Sequence, residues 1–268
     1  MQVAALQMVS GANVQANLAA AGLLLARAAA QGAELALLPE YFCLMGLKES
    51  DKLEIREAPG QGPIQDFLAA KARALKLWIV GGSVPLEASD ERHVRNSTLV
   101  YSPAGQCVAR YDKIHLFAFD NGREQYNESR VIERGATPVS FELPSIDGHQ
   151  YRVGLSICYD LRFPEHYRAL AADLLLVPGA FTFTTGQAHW EVLLRARAIE
   201  NIAYVVAAAQ GGRHENKRRT WGQSLIVDPW GEILAQQAEG EAVLMAEVLG
   251  QRLQALRLQL PALQHRVL

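Results

Sequence analysis

At 268 residues the chain is long enough to bury a large core and fits one domain of α/β type. Lys plus Arg number 26 and Asp plus Glu 28, a formal charge of −2 at pH 7, which excludes the basic footprint of a nucleic-acid or anionic-membrane partner. Three cysteines (Cys43, Cys107 and Cys158) with no CxxC pair exclude a disulfide framework. They suit a reducing, cytoplasmic compartment and leave room for one reactive thiol.

In chain order, apolar runs of strand length alternate with segments of helix length. The pattern predicts a strand at 3–7, a helix at 17–30, a strand at 35–39, a helix at 62–75 and strands at 78–84, 97–102 and 107–113. It then predicts a strand at 153–158, a helix at 165–172, a strand at 174–178, a helix at 187–201 and strands at 204–209, 224–228 and 242–248. Several strands are apolar throughout, as expected where both faces of a sheet are covered. The order strand–helix–strand–helix–strand occurs from the N-terminus and again from Tyr151, which suggests two similar halves packed sheet against sheet. No composition shift or linker divides the chain, so residues 1–268 read as a single domain. The first twenty residues lack a basic n-region and are broken by Gly11 and Asn13, predicting no signal peptide. No apolar run reaches the roughly 18–20 residues that span a bilayer. Residues 251–268 read as a short helix ended by Pro261 and a leucine-bearing tail, packed either on a partner subunit or on its own domain.

The segment YRVGLSICYDLRFPE carries the strongest chemical signal. An apolar strand stops at Cys158, and the chain turns through Asp160 and Arg162 to Pro164, a residue suited to the first position of a helix. A thiol at a strand end beside helix N–H groups is expected to favour the thiolate, the form that attacks carbonyl carbon. Two other strand ends carry polar groups: Glu40 follows the apolar run in ELALLPEYF, and Lys113 ends the strand in ARYDKIHLF. Glu128 follows in a loop, QYNESRVIERG. Ligand sites of α/β sheets collect at carboxyl ends of strands, so Glu, Lys and Cys there point to one shared site.

These residue types fit acyl transfer from an amide. Cys158 supplies the nucleophile; Glu40 takes the thiol proton and returns it to the departing nitrogen. Lys113 and the backbone N–H of Tyr159 stabilise the oxyanion. Water activated by Glu40 then hydrolyses the thioester.

Glu40 in LLPEYF, Lys113 in YDKIHLF and Cys158 in SICYDLRFPE resemble, in order and setting, the Glu–Lys–Cys triad of the nitrilase (carbon–nitrogen hydrolase) superfamily. Glu128 in YNES resembles that family's second glutamate. The resemblance spans nearly the whole chain. It implies a four-layer α-β-β-α sandwich, a homodimer paired through its helices or a higher homo-oligomer, and no metal or organic cofactor. Within the superfamily, the stretch from GQAHWEVLLRARAIEN to WGQSLIVDPWGEI is similar to the Nit-type amidases of the deaminated glutathione branch. That likeness implies hydrolysis of the side-chain amide of a 2-oxo acid. The alternatives are an omega-amidase acting on 2-oxoglutaramate, or a relative acting on N-carbamoyl amino acids or aliphatic amides. The 2-oxo acid carboxylate needs a cation, and Arg162 is the candidate because guanidinium matches carboxylate bidentately. Thr185 is a second substrate-contact candidate by the same likeness. Relatives often carry Asp where this chain has Ala118, which leaves the triad intact but bears on the lid-like loop 118–125.

Other residues read as scaffold or solvated surface. Cys43 and Cys107 are expected to be buried structural thiols. His115 is expected to be a packed, hydrogen-bonded ring, and His189 and Trp190 scaffold at the start of a helix, with lining of the pocket as the alternative. The basic run Arg213, His214, Lys217, Arg218 and Arg219 reads as a solvated loop. No His/Cys/Asp spacing resembles a metal site. Two rivals of other classes are a cysteine peptidase or acyltransferase pairing Cys158 with His166 or His189, and a non-catalytic binding module on the same fold.

Overall fold

The computed structural model describes residues 1–267. It contains β1 (Gln2–Gln7), α1 (Val14–Ala30), β2 (Leu35–Leu37), α2 (Asp51–Glu54), α3 (Pro63–Leu75), β3 (Trp78–Val80), β4 (Val84–Glu87), β5 (Val94–Tyr101) and β6 (Cys107–Asp112). A hairpin, β7 (Ala118–Asp120) and β8 (Gln125–Asn127), is followed by β9 (Ser140–Pro144) and β10 (Gln150–Leu155). The remainder is α4 (Pro164–Leu170), β11 (Leu174–Gly179), α5 (Phe183–Asn201), β12 (Tyr204–Ala209), β13 (Ser224–Val227), β14 (Ile233–Gln237), β15 (Ala242–Glu247) and α6 (Gly250–Gln259). No helix among the described residues is long and apolar enough to cross a membrane.

Two sheets face each other. The first runs β15-β1-β2-β3-β5-β4, with β6 also on β5; the second runs β14-β13-β12-β11-β10-β9. The parallel triples β1-β2-β3 and β10-β11-β12 are the repeated motif, each joined by helical crossovers. One core lies between the sheets, where Val3, Ala5, Leu35, Leu37 and Val100 meet Val153, Leu155, Leu174, Val205 and Leu225. The outer face of the first sheet buries Leu18, Leu24, Leu25, Ile64 and Leu68 of α1 and α3. Trp190 and Leu194 of α5 close the other side, giving the α-β-β-α order. The repeat is imperfect, because β15 leaves the second half and pairs antiparallel with β1, from Gln2↔Glu247 to Gln7↔Ala242.

The element boundaries differ from expectation where tertiary contacts intervene. The run 78–84 is two strands broken at Gly81–Gly82–Ser83. A Cβ on Gly82 (φ 49°) would lie 2.0 Å from the Pro39 carbonyl oxygen, so the chain can pass this turn only as glycine. That close approach seats the segment against the residue preceding Glu40. α5 begins four residues earlier than periodicity indicates, because Thr182 caps it by accepting from Thr185 N at 3.3 Å. The lid-like loop 118–125 folds largely into the β7–β8 hairpin. Strands β9 and β14 lie outside the expected set. Cys107 is exposed, contrary to the expectation of burial, whereas Cys43 is buried as expected. In α6 and the segment after it, Leu253 and Leu256 are buried on this domain and Leu258 and Leu260 are exposed.

Candidate active site

The carboxyl ends of strands from both sheets converge. Glu40 lies three residues beyond β2, Lys113 directly after β6, and Cys158 three residues beyond β10. All three are buried, Glu40 and Lys113 with no exposed surface and Cys158 at 8%. Lys113 Nζ donates to Glu40 Oε1 at 2.9 Å and to Glu128 Oε1 and Oε2 at 2.9 and 2.8 Å. One ammonium thus bridges two carboxylates, Glu40 fully buried and Glu128 largely so. The four residues expected to share a site do so.

Every element around this cluster fixes an atom of it. Glu40 Oε1 also accepts from Asn96 Nδ2 at 3.0 Å, and Glu40 Oε2 accepts from the Ala180 N–H at 3.0 Å just past β11. The Glu40 carbonyl accepts from Gln210 Nε2 at 3.1 Å, just past β12. Glu128 accepts from Tyr41 Oη at 2.8 Å and Phe117 N at 2.7 Å, so it is held in a 3-10 turn (Glu128–Arg130) rather than a free loop. Asn96, Tyr41 and the Ala180 N–H were not singled out from the sequence. A buried asparagine inside the apolar run of β5 was the available signal for one of them.

Two non-glycine residues here occupy the left-handed region: Cys158 at φ 50° and Tyr41, next to Glu40, at φ 57°. Each conformation costs about 1–2 kcal/mol and persists only where surrounding bonds impose it. Tyr41 is held by its N–H on Ser83 Oγ at 3.0 Å. The Cys158 turn is held by Asp160. Its buried carboxylate accepts from Ile157 N (2.8 Å), Tyr111 Oη (2.7 Å), His115 N (3.1 Å) and His115 Nδ1 (2.7 Å). Asp160 thereby ties the residue before Cys158 to the segment just after Lys113. Burial pushes the Asp160 carboxyl up, but the His115 bond, the charge of His166 and the Tyr111 bond bring it below the ordinary carboxylate range. His115 stacks on Phe163 at 3.6 Å, the packed and bonded ring expected.

The electrostatics correct one expectation. Burial pushes the Cys158 thiol well above its ordinary value; the Glu40 charge adds to the rise, and Lys113 opposes it without cancelling it. Cys158 therefore rests as a thiol beside a carboxylate, not as a thiolate. Burial alone would lower the Lys113 ammonium, but the charges of Glu128 and Glu40 raise it well above its ordinary value, so it stays charged.

A narrow cavity of about 20 Å³ opens onto Cys158 between Phe117, Tyr159, Arg162, Phe181 and Thr185. Arg162 and Thr185 both line it. The Arg162 guanidinium lies 5.6 and 5.5 Å from the Tyr159 and Phe181 rings, and both of its Nη atoms reach His189 Nδ1 at 3.3 Å. His189 is therefore a rim residue, while Trp190 is core scaffold. His166 Nε2 meets the Leu155 carbonyl at 2.9 Å. The histidine partner required by the peptidase or acyltransferase rival is thus occupied with scaffold in one case and with Arg162 in the other. The basic run is not a free solvated loop: Arg218 stacks over Tyr126 of β8 at 4.9 Å and pairs with Glu49 at 3.2 Å.

Known proteins resemble this chain along nearly its whole length. The chain is 43% identical over 98% of its length to a deaminated glutathione amidase of Synechocystis, covering 97% of that protein. The crystal structure of the Caenorhabditis elegans NitFhit protein superposes with a TM-score of 0.88 at 36% identity, over 99% of this chain and 65% of that one. Saccharomyces cerevisiae Nit3, a member of branch 10 of the nitrilase superfamily, superposes with a TM-score of 0.87 at 27% identity, over 100% of this chain and 97% of that one. With the carbon-nitrogen hydrolase family matched across residues 2–258, the chain belongs to that family, within the nitrilase superfamily, and is an amidohydrolase acting on carbon–nitrogen bonds.

Proposed function

We propose that the protein is a cysteine-dependent amidase that cleaves the side-chain amide of a 2-oxo acid of the deaminated glutathione type through a thioester. The observation that carries this reading is the Lys113 ammonium clamped between Glu40 and Glu128 beside Cys158, in a site that opens past Arg162. The name of the Synechocystis relative supports the substrate class.

In the proposed sequence the Cys158 sulfur bonds to the amide carbon while its proton passes to Glu40 and the carbonyl electrons move onto oxygen. The resting thiol makes this coupled transfer the natural first step, since no free thiolate is stored. Lys113 and the Tyr159 N–H meet the oxyanion; one such donor is worth about 2.7–4 kcal/mol in other enzymes. Collapse breaks the carbon–nitrogen bond as Glu40 returns the proton to nitrogen, and the amine leaves. Water then attacks the thioester, giving a proton to Glu40, and Cys158 departs with that proton. Glu128 orients Lys113 throughout. Arg162 receives the 2-oxo acid carboxylate, and Thr185 lines the same wall. The cavity beside Cys158 is narrow, so the amine side of the substrate extends over the rim.

The protein acts in the cytoplasm as a single domain and pairs as a homodimer through the outer helices. Exposed Val192 and Ile199 of α5 and Leu258 of α6 support that face, with residues 251–267 at the subunit boundary; Leu268 lies outside the described residues. Sedimentation of the wild type against a Val192→Glu variant checks the pairing.

The function is tested by a panel of deaminated glutathione, 2-oxoglutaramate, an N-carbamoyl amino acid, a nitrile and an aliphatic amide. Deaminated glutathione should give the highest kcat/KM. The intact mass after quenching should show an acyl adduct that Cys158→Ala lacks. Equal turnover by wild type and Cys158→Ala would remove the thioester.

A further inference from the structure

A deaminated-glutathione-type substrate carries two carboxylates, one on the retained 2-oxo acid and one at the end of the departing dipeptide. Arg162 accounts for the first. The mouth of the site holds a second guanidinium at the other end of a row of aromatic rings. Arg218 lies over Tyr126 at 4.9 Å; Tyr126 meets Phe117 at 5.7 Å; Phe117 meets Tyr159 at 5.2 Å; Tyr159 lies under Arg162 at 5.6 Å. Two rings of this row, Phe117 and Tyr159, line the cavity at Cys158, so the row leads from the reacting thiol to Arg218.

Arg218 is held in place rather than waving in solvent. Its backbone N–H donates to Asn216 Oδ1 at 3.0 Å, and its carbonyl accepts from His214 N at 2.9 Å. Asn216 Nδ2 in turn donates to the Gly46 carbonyl at 2.7 Å, and His214 Nδ1 meets the Ser10 carbonyl at 2.8 Å. The hairpin that carries Arg218 returns to the pocket wall through the Trp221 N–H on the Phe181 carbonyl at 3.0 Å. Glu49 is shared between Arg218 and Lys52, two cations on one carboxylate. Glu49 also lies within electrostatic reach of Lys113.

We propose that Arg218 is a specificity-determining residue that binds the carboxylate of the departing amine when that amine is a dipeptide. The assignment rests on the substrate class proposed above. The guanidinium over Tyr126 offers a docking carboxylate a bidentate partner. An amide that releases only ammonia has nothing to place at this position.

The test compares kcat/KM of wild type and Arg218→Gln on deaminated glutathione, on 2-oxoglutaramate and on deaminated glutathione whose terminal glycine is a carboxamide. Arg218→Gln should lower kcat/KM about tenfold more on deaminated glutathione than on 2-oxoglutaramate, through KM, as expected for loss of a charge-assisted hydrogen bond. Wild type on the carboxamide should show the same deficit, and Arg218→Gln should add nothing further to it. Arg218→Lys should recover part of the loss. An equal loss on all three substrates, with a fallen melting temperature, would make Arg218 a strut for the lid and overturn the assignment. No loss on deaminated glutathione would overturn it too. A wild type that cleaves 2-oxoglutaramate but not deaminated glutathione overturns the Arg218 assignment and leaves the amidase reading standing. Cleavage of neither removes both.

Discussion

The inner and outer halves of the site are built on opposite principles. Inside, Glu40, Lys113 and Glu128 are saturated with hydrogen bonds from five different segments and have almost no contact with solvent. Outside, Arg162, His189, Glu124 and Arg218 make one or two bonds each at partly exposed positions. Charges in the dry interior interact strongly and tolerate no missing partner, whereas rim charges are screened and interchangeable at small cost. Bond cleavage therefore belongs to the rigid half, and the choice of acid and amine to the adaptable one.

The largest expected effect that would separate the halves is loss of the thiol. Cys158→Ala should lower kcat/KM by about 10⁴-fold or more, as for other members of a nucleophile–base unit, with KM little changed. Lys113→Met should be the most damaging change to stability. It leaves two buried carboxylates facing each other without a cation, a cost of about 3–5 kcal/mol that a thermal melt will read. If Lys113→Met melts like the wild type, the inner half is not the locked unit described here.

At the boundary, Arg162→Ala should raise KM for 2-oxo acid amides about tenfold or more and leave a neutral aliphatic amide nearly unaffected. An equal rise for both would take Arg162 out of carboxylate recognition. The pH dependence is smaller and its sign is fixed. The Cys158 thiol is raised in the fold, so the folded state holds its proton where an unfolded thiol has begun to lose it. Its contribution is complete below the unfolded thiol value of about 8.5 and is lost as pH rises toward the folded value. Cys158→Ser should flatten the alkaline decline in melting temperature over roughly pH 8.5–10. A decline of unchanged steepness would show that the thiol is not shifted. The smallest effect is expected at the lid. Glu124→Gln weakens the 2.9 Å bond from Thr184 Oγ1 to Glu124 and should change KM about two- to threefold with no change in melting temperature.

The division between the halves also explains what could be read from the sequence. Glu40, Lys113 and Cys158 were legible because strand ends in an α/β pattern are marked by polar residues after apolar runs, and their order matched a known family. Tyr41, Asn96 and the Ala180 N–H were not, because each contributes through a turn or a backbone atom whose direction only the packed sheets decide. The ionisation of Cys158 ran opposite to expectation for the same reason. A strand end beside N–H groups suggested a thiolate, but complete burial and the nearby Glu40 charge outweigh them. Arg218 was hidden by its composition, since a basic run in a polar loop looks alike whether it faces solvent or folds over Tyr126.

The pairing of β15 with β1 sets the order in which the protein can be completed. Gln2 waits for Glu247, so the first sheet keeps an open edge at β1 until nearly the whole chain has left the ribosome. A nascent chain that already carries Glu40, Lys113 and Cys158 still exposes a row of unpaired backbone groups there, a template for pairing with other chains. Closure depends on a contact between opposite ends of the sequence, which makes it a slow step. Chains truncated before residue 242 should accumulate as aggregates rather than as weakly active enzyme, although no residue of the candidate active site has been removed.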